Sequence, residues 1–93
     1  KAGELNLMAE VVEPNSGRVL QVFSTLPGMQ FYTSNFLDTV FPAMNNKIYG
    51  KHSSFCIEPS YFPDAPNHNN FQSIKLNVDE MYNETIVYNF LTR

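Results

Sequence analysis

The chain lacks a second cysteine: Cys56 stands alone among 93 residues, so no internal disulfide is possible. That removes the usual staple of small secreted domains and points to a reducing compartment, with the cytoplasm as the expected location. No apolar run approaches the eighteen residues that a membrane-spanning helix needs, so no membrane partner is expected. Positive charge is scarce and scattered over Lys1, Arg18, Lys47, Lys51, Lys75 and Arg93, with a net charge of −3. Such a distribution makes no basic stripe for a phosphate backbone, which disfavours nucleic acid. No helical period is sustained for three turns, and there are no internal repeats or low-complexity tracts. The opening "KAGELNLMAE" has neither an initiator Met nor a signal-peptide pattern.

Aromatic residues are plentiful, eight Phe and five Tyr, while charged residues are few. That balance suits a β-rich core or cleft rather than a disordered or coiled-coil chain. The length suits one domain at most, or a piece of one. A chain this short buries only a little over ~60% of the surface its unfolded form exposes, so its independent stability would be thin.

The residue pattern predicts strands separated by turns. Leu5 to Val12 and Arg18 to Thr25 flank the turn-forming Pro14-Asn15-Ser16-Gly17, which predicts a β-hairpin. In the second run Val19, Gln21, Phe23 and Thr25 alternate with Leu20, Val22 and Ser24. Leu26-Pro27-Gly28 has the chemistry of a type II turn, with Gly at the position that requires positive φ. A strand over "MQFYTS" follows, placing Gln30, Tyr32 and Ser34 on one face. Residues 35–51 read as a long loop, and loops of that length are usually functional. Residues 53–58 form a further strand with Phe55 and Ile57 opposite Ser54, Cys56 and Glu58. The stretch "PSYFPDAPNHNNF" is loop, "SIKLNV" a short strand, and Tyr82 to Leu91 a long final one. Several short strands at this spacing predict an all-β chain, an antiparallel β-sandwich or part of one.

One carboxylate, Glu58, interrupts an apolar run between Ile57 and Pro59, where burial of an ionised group is expensive. Taken alone it is a strand-end carboxylate facing water, or a group wanted in a partly dry site. Its surroundings supply more. "SGRVLQVFSTLPGMQFYTSNFLD" followed by "GKHSSFCIEPSYFPDAPNHNNF" resembles the C-terminal third of the aldose 1-epimerase (galactose mutarotase) family. The resemblance runs from about Glu13 to Phe90, with its parts in the same order at closely similar spacing.

The resemblance implies that residues 1–93 are the C-terminal part of a single large antiparallel β-sandwich, the galactose mutarotase-like supersandwich. It also implies a reaction, interconversion of the α and β anomers of a free aldohexose such as galactose or glucose. By that resemblance Glu58, in the FC-x-E strand, is the general base, and Gln30, in QFYT, holds sugar hydroxyls. No metal and no organic cofactor is needed for this chemistry. Mutarotation takes a proton from the anomeric hydroxyl and gives one to the ring oxygen, after which the ring opens, the aldehyde turns and closure occurs on either face. A carboxylate in an aromatic, poorly solvated pocket has its pKa raised towards working pH and becomes a better base. An amide that donates and accepts at once suits a hydroxyl that does both.

Other chemistry-bearing residues have plainer expectations. His52 and His68 lack matched Asp or Cys spacing for a metal and are expected to pack loops. Cys56 is expected to be a packed, inert thiol. Tyr32, Phe36, Tyr61 and Phe62 could line a platform for a sugar's apolar face, although core packing explains most aromatics. Asp64, between prolines, is expected to fix its loop. Asn83-Glu84-Thr85 matches the glycosylation sequon, a pattern that often arises by chance.

The chain also departs from the family. Ser34 and Ser54 stand where it often has Gly, and Asn70 and Gln72 where it often has Pro. The family's catalytic acid, a histidine, and its substrate-orienting Asp, Arg and other histidines precede the matched region. The expected partners are therefore an aldohexose and the remainder of the same protein, or a companion chain, supplying the other strands. The alternative is a non-catalytic β-sandwich module that binds carbohydrate or protein.

Overall fold

The computed structural model describes residues 3–93, so Lys1 of the scattered basic set lies outside the described residues. Among the described residues five strands are formed: β1 (Asn6–Glu13), β2 (Arg18–Ser24), β3 (Gly28–Tyr32), β4 (Cys56–Ser60) and β5 (Ile86–Thr92). Short 3-10 turns occur at Met44–Asn46 and Ala65–Asn67, and there is no α-helix among the described residues. The strands make two antiparallel sheets, one ordered β1-β2-β5 and the other pairing β3 with β4.

The expected hairpin is present, with β1 and β2 paired from Asn6↔Ser24 to Glu13↔Arg18. Gly17 closes it at φ +72, donating its N–H to Glu13 O at 2.9 Å. The Glu13 carboxylate accepts from the N–H groups of Asn15 and Ser16. Those bonds stabilise the ionised form and hold its pKa below the ordinary carboxylate value. A register shift between Leu7 and Ala9 marks a β-bulge. It reconciles the broken alternation of "NLMAEVV" with a regular partner strand.

Register sorts the three-stranded sheet into two faces. Ala9, Val11, Leu20, Val22, Ile86, Tyr88 and Phe90 share one, and Leu20 and Tyr88 border the same cleft as Cys56 and Ile57 of β4 and the preceding Phe55. Val22, fully buried, and Ile57 thus mark the apolar interior between the two sheets. The other face carries a polar rung across its middle. Gln21 Nε2 donates to Glu10 Oε2 at 2.8 Å, Asn89 Nδ2 donates to Gln21 Oε1 at 3.1 Å, and the Arg93 guanidinium donates to Glu10 Oε1 at 2.8 Å.

The interior is thin. Buried apolar side chains are Val19, Val22, Leu26, Ile57 and Ala65, whereas every residue of β5 is exposed. The radius of gyration is 17.0 Å, where a compact chain of this length would have about 12 Å. The accessible surface is 7418 Å², against about 5,500 Å² for a self-contained globule of this mass.

Four expectations are corrected. The final strand begins at Ile86 rather than Tyr82. "SIKLNV" forms no strand and residues 72–77 have no regular structure, because no strand among the described residues pairs with it. Gly28 is not the positive-φ corner of a type II turn: Thr25, Leu26 and Pro27 form a bend, and Gly28 is already the first residue of β3. The fourth strand begins at Cys56 rather than Ser53 and runs through Pro59, which a strand of a two-stranded sheet tolerates.

Candidate active site

β3 and β4 pair from Gly28↔Ser60 to Tyr32↔Cys56, and this register sets Gln30 directly opposite Glu58. The two residues singled out from the sequence, 28 positions apart in the chain, are therefore cross-strand neighbours. Side chains at such a pair project from the same face, with Cβ atoms about 4.5–5.5 Å apart. Met29, Phe31, Ile57 and Pro59 point the other way, with Ile57 buried towards the first sheet. Alternation puts the amide and the carboxylate on the opposite face from Ile57, the one buried side chain of that apolar set, while Phe31 stays exposed.

Both side chains are exposed. With Glu58 exposed, the described residues do not give it the poorly solvated surroundings expected. A cleft of about 370 Å³ lies instead beside the Ala65–Asn67 turn, lined by Ala65, Pro66, His68, Phe71 and Lys75 among others, with neither Glu58 nor Gln30 in its wall. Cys56 is also exposed, contrary to the packed thiol expected: it opens β4 at the edge of the cleft shared with Leu20 and Tyr88.

The loops on either side are tied down. Thr33 and Ser53 bound a long excursion that is clamped at its base: Ser34 Oγ meets Ser54 Oγ, His52 N–H donates to Ser34 O at 3.0 Å, and the His52 ring lies 2.8 Å from Thr33 O. Ser34 adopts φ +59, a left-handed conformation that favours Gly. The two Ser departures noted in the sequence are thus partners of one another. Farther out, the Thr39 hydroxyl donates to Tyr49 O and accepts from Tyr49 N–H, each at 2.7 Å. The expected long loop is therefore ordered by its own polar contacts.

After β4, Asp64 sits in the left-handed region and accepts from Asn67 Nδ2 and pairs with His68 Nε2 at 2.9 Å, fixing the loop as expected. The His68 ring in turn packs on Phe71, and Phe71 on Phe62. One arrangement escaped the sequence reading. Glu84 accepts hydrogen bonds from Tyr61 Oη at 2.9 Å and from Thr25 Oγ1, joining the ends of β2 and β4 to the entry of β5. Acceptance from the phenol by a carboxylate raises the Tyr61 pKa above 10.0. The three residues are far apart in sequence and follow no motif, so no one-dimensional signal marks them. Among the described residues, no three His, Cys, Asp or Glu side chains gather closely enough to hold a metal ion.

A profile of the family described as Aldose 1-epimerase matches residues 2–89, a range that contains both Gln30 and Glu58. The chain belongs to the aldose 1-epimerase family. The galactose mutarotases of Rattus norvegicus and Homo sapiens are each 44% identical to it over 87 residues, covering 94% of this chain and 25% of theirs. The aldose 1-epimerase of Escherichia coli K12 is 37% identical over 49 residues, 53% of this chain and 14% of that protein. The chain thus spans about a quarter of the length of the mammalian relatives. Aldose 1-epimerases are antiparallel β-sandwiches, and the two antiparallel sheets here are a portion of that fold.

Proposed function

We propose that this chain carries the general base and one sugar-holding amide of an enzyme that interconverts the anomers of free aldohexoses. The direct Gln30↔Glu58 register, inside the family-matched range, supports this reading above any other observation. Glu58 accepts the proton of the anomeric hydroxyl as the bond between C1 and the ring oxygen breaks and a carbonyl forms at C1. The ring oxygen takes its proton from a histidine supplied by another part of the assembled sandwich. Rotation about C1–C2 and reversal of both proton transfers close the ring on the other face. Gln30, one strand away, holds a hydroxyl by donating and accepting together, which keeps the anomeric oxygen within reach of Glu58. Activity belongs to the whole sandwich, whose other strands cover the apolar surface that β5 leaves exposed. The lone cysteine fits a cytoplasmic setting.

Polarimetry on freshly dissolved α-galactose or α-glucose, with the full-length protein that carries these residues, tests the reading. Glu58→Gln keeps the shape of the side chain but cannot take the proton, and turnover falls by at least ~10²-fold. A variant as active as its parent overturns the assignment. The openness of the Glu58 face favours one second reading, a module that holds a hexose without turning it over. Saturable sugar binding with no acceleration of mutarotation by the parent would establish it.

A further inference from the structure

A flat apolar ring stands beside the Gln30 and Glu58 pair. Gly28 opens β3 opposite Ser60, two residues before Gln30, so a side chain there would project from the face that carries Gln30 and Glu58. A Cβ built on Gly28 would lie 2.7 Å from Cε1 and 2.8 Å from Cδ1 of Phe62. The Phe62 ring therefore rests on the strand backbone itself, in space that any residue but glycine would fill. It is held on another side by Phe71, with centroids 5.1 Å apart at 49°. Phe71 meets the His68 imidazole at 5.0 Å, and Asp64 anchors that imidazole. Despite these supports the Phe62 side chain is 40% exposed. The ring is thus held in place by Gly28 and Phe71, with part of it free to meet an apolar surface of a ligand.

A hexopyranose offers such a surface. Its hydroxyls line the rim, while the C–H groups of one ring face form an apolar patch that suits an aromatic plane. We propose that Phe62 packs against the C–H face of the hexose whose hydroxyls Gln30 and Glu58 engage. Gly28 is then a positioning residue, since only a missing side chain lets the ring lie there. This contact rests on the reading of the Glu58 face as a hexose site, and it adds a substrate-contacting residue to that site.

The test uses the full-length protein carrying these residues, with galactose and glucose as probes. Binding is read by calorimetry and turnover by polarimetry. Losing about 50 Å² of apolar contact in Phe62→Ala corresponds to roughly an eightfold rise in Kd and KM, with kcat falling less. Phe62→Trp, which keeps a flat face, retains parental affinity. Gly28→Ala displaces the ring and weakens binding in the same direction. A Phe62→Ala protein with the parent's circular dichroism and affinity within twofold overturns the contact, even where Glu58→Gln abolishes turnover. Conversely, weakened binding in Phe62→Ala together with full activity in Glu58→Gln removes the base assignment and leaves the contact standing. If Phe62→Ala does not fold, Phe62→Leu, apolar but not flat, takes its place. Unchanged binding there overturns the contact too, as does a parent that binds neither sugar.

Discussion

Gly17→Ala probes how the first sheet is closed at its end. Gly17 has φ +72, and Ala in the left-handed region costs about 1–2 kcal/mol. A second penalty comes from position. An added Cβ would stand 2.3 Å from the carbonyl oxygen of Arg93, which is backbone and cannot rotate away. Restoring normal contact requires a shift of about 1 Å, on general packing grounds. That shift strains the hydrogen bond from Arg93 N–H to Gly17 O, now 2.8 Å. Such a bond is worth about 0.5–1.5 kcal/mol net. Together the terms predict a loss of about 2–3 kcal/mol, most of it felt where β2, β5 and the hairpin turn meet. Urea unfolding of the full-length protein measures it as a fall in midpoint at unchanged slope. Gly50→Ala is the control, because nothing lies within 4 Å of its added Cβ and its φ is not positive. It should stay within about 0.5 kcal/mol of the parent. If Gly17→Ala proves as harmless as Gly50→Ala, the joining of the hairpin turn to the end of β5 has been misread.

Further outcomes follow from the polar contacts. The Glu84 carboxylate raises the Tyr61 pKa above 10.0 by accepting its hydroxyl. The stability this bond lends is therefore complete below pH 10.0 and is lost as pH rises through the higher folded-state value. In Glu84→Gln the Tyr61 titration, isolated by difference from Tyr61→Phe in the ultraviolet phenolate band, moves down; an unmoved titration contradicts the contact. Ser34→Ala keeps the left-handed backbone but loses the Ser54 partner, at about 1 kcal/mol. Hydrogen exchange should then quicken at the base of the 35–51 loop, and unchanged protection there would show that the pair does not clamp it.

The hairpin was legible because two independent signals coincide, turn residues at Pro14–Gly17 and alternation in "RVLQVFS". Alternation alone was not enough for "SIKLNV", since a period of two reports a face and not a partner to hydrogen-bond with. "LPG" misled because proline followed by glycine suits a type II turn, while here glycine serves a neighbour's ring rather than its own dihedral. Glu58 and Gln30 were visible as residues of a familiar pattern, yet their pairing depends on register across a long excursion that no local signal encodes. Apolar chain neighbours on both sides predict a packed Cys56, yet Ile57 alternates away from it in β4 and the thiol is exposed. The Glu84 contacts with Tyr61 and Thr25 rest wholly on tertiary proximity.

The clamp formed by Ser34, His52 and Ser54 has a bearing on how such proteins diversify. With the neck of the excursion secured where it leaves and rejoins the sheet, its outer part can lengthen, shorten or change composition without moving β3 against β4. Variation in that tip, where Phe41 and Met44 already stand in water, is uncoupled from the spacing of Gln30 and Glu58. Descendants of one ancestor could acquire different attachments there while the pairing of β3 with β4 beneath stays unaltered.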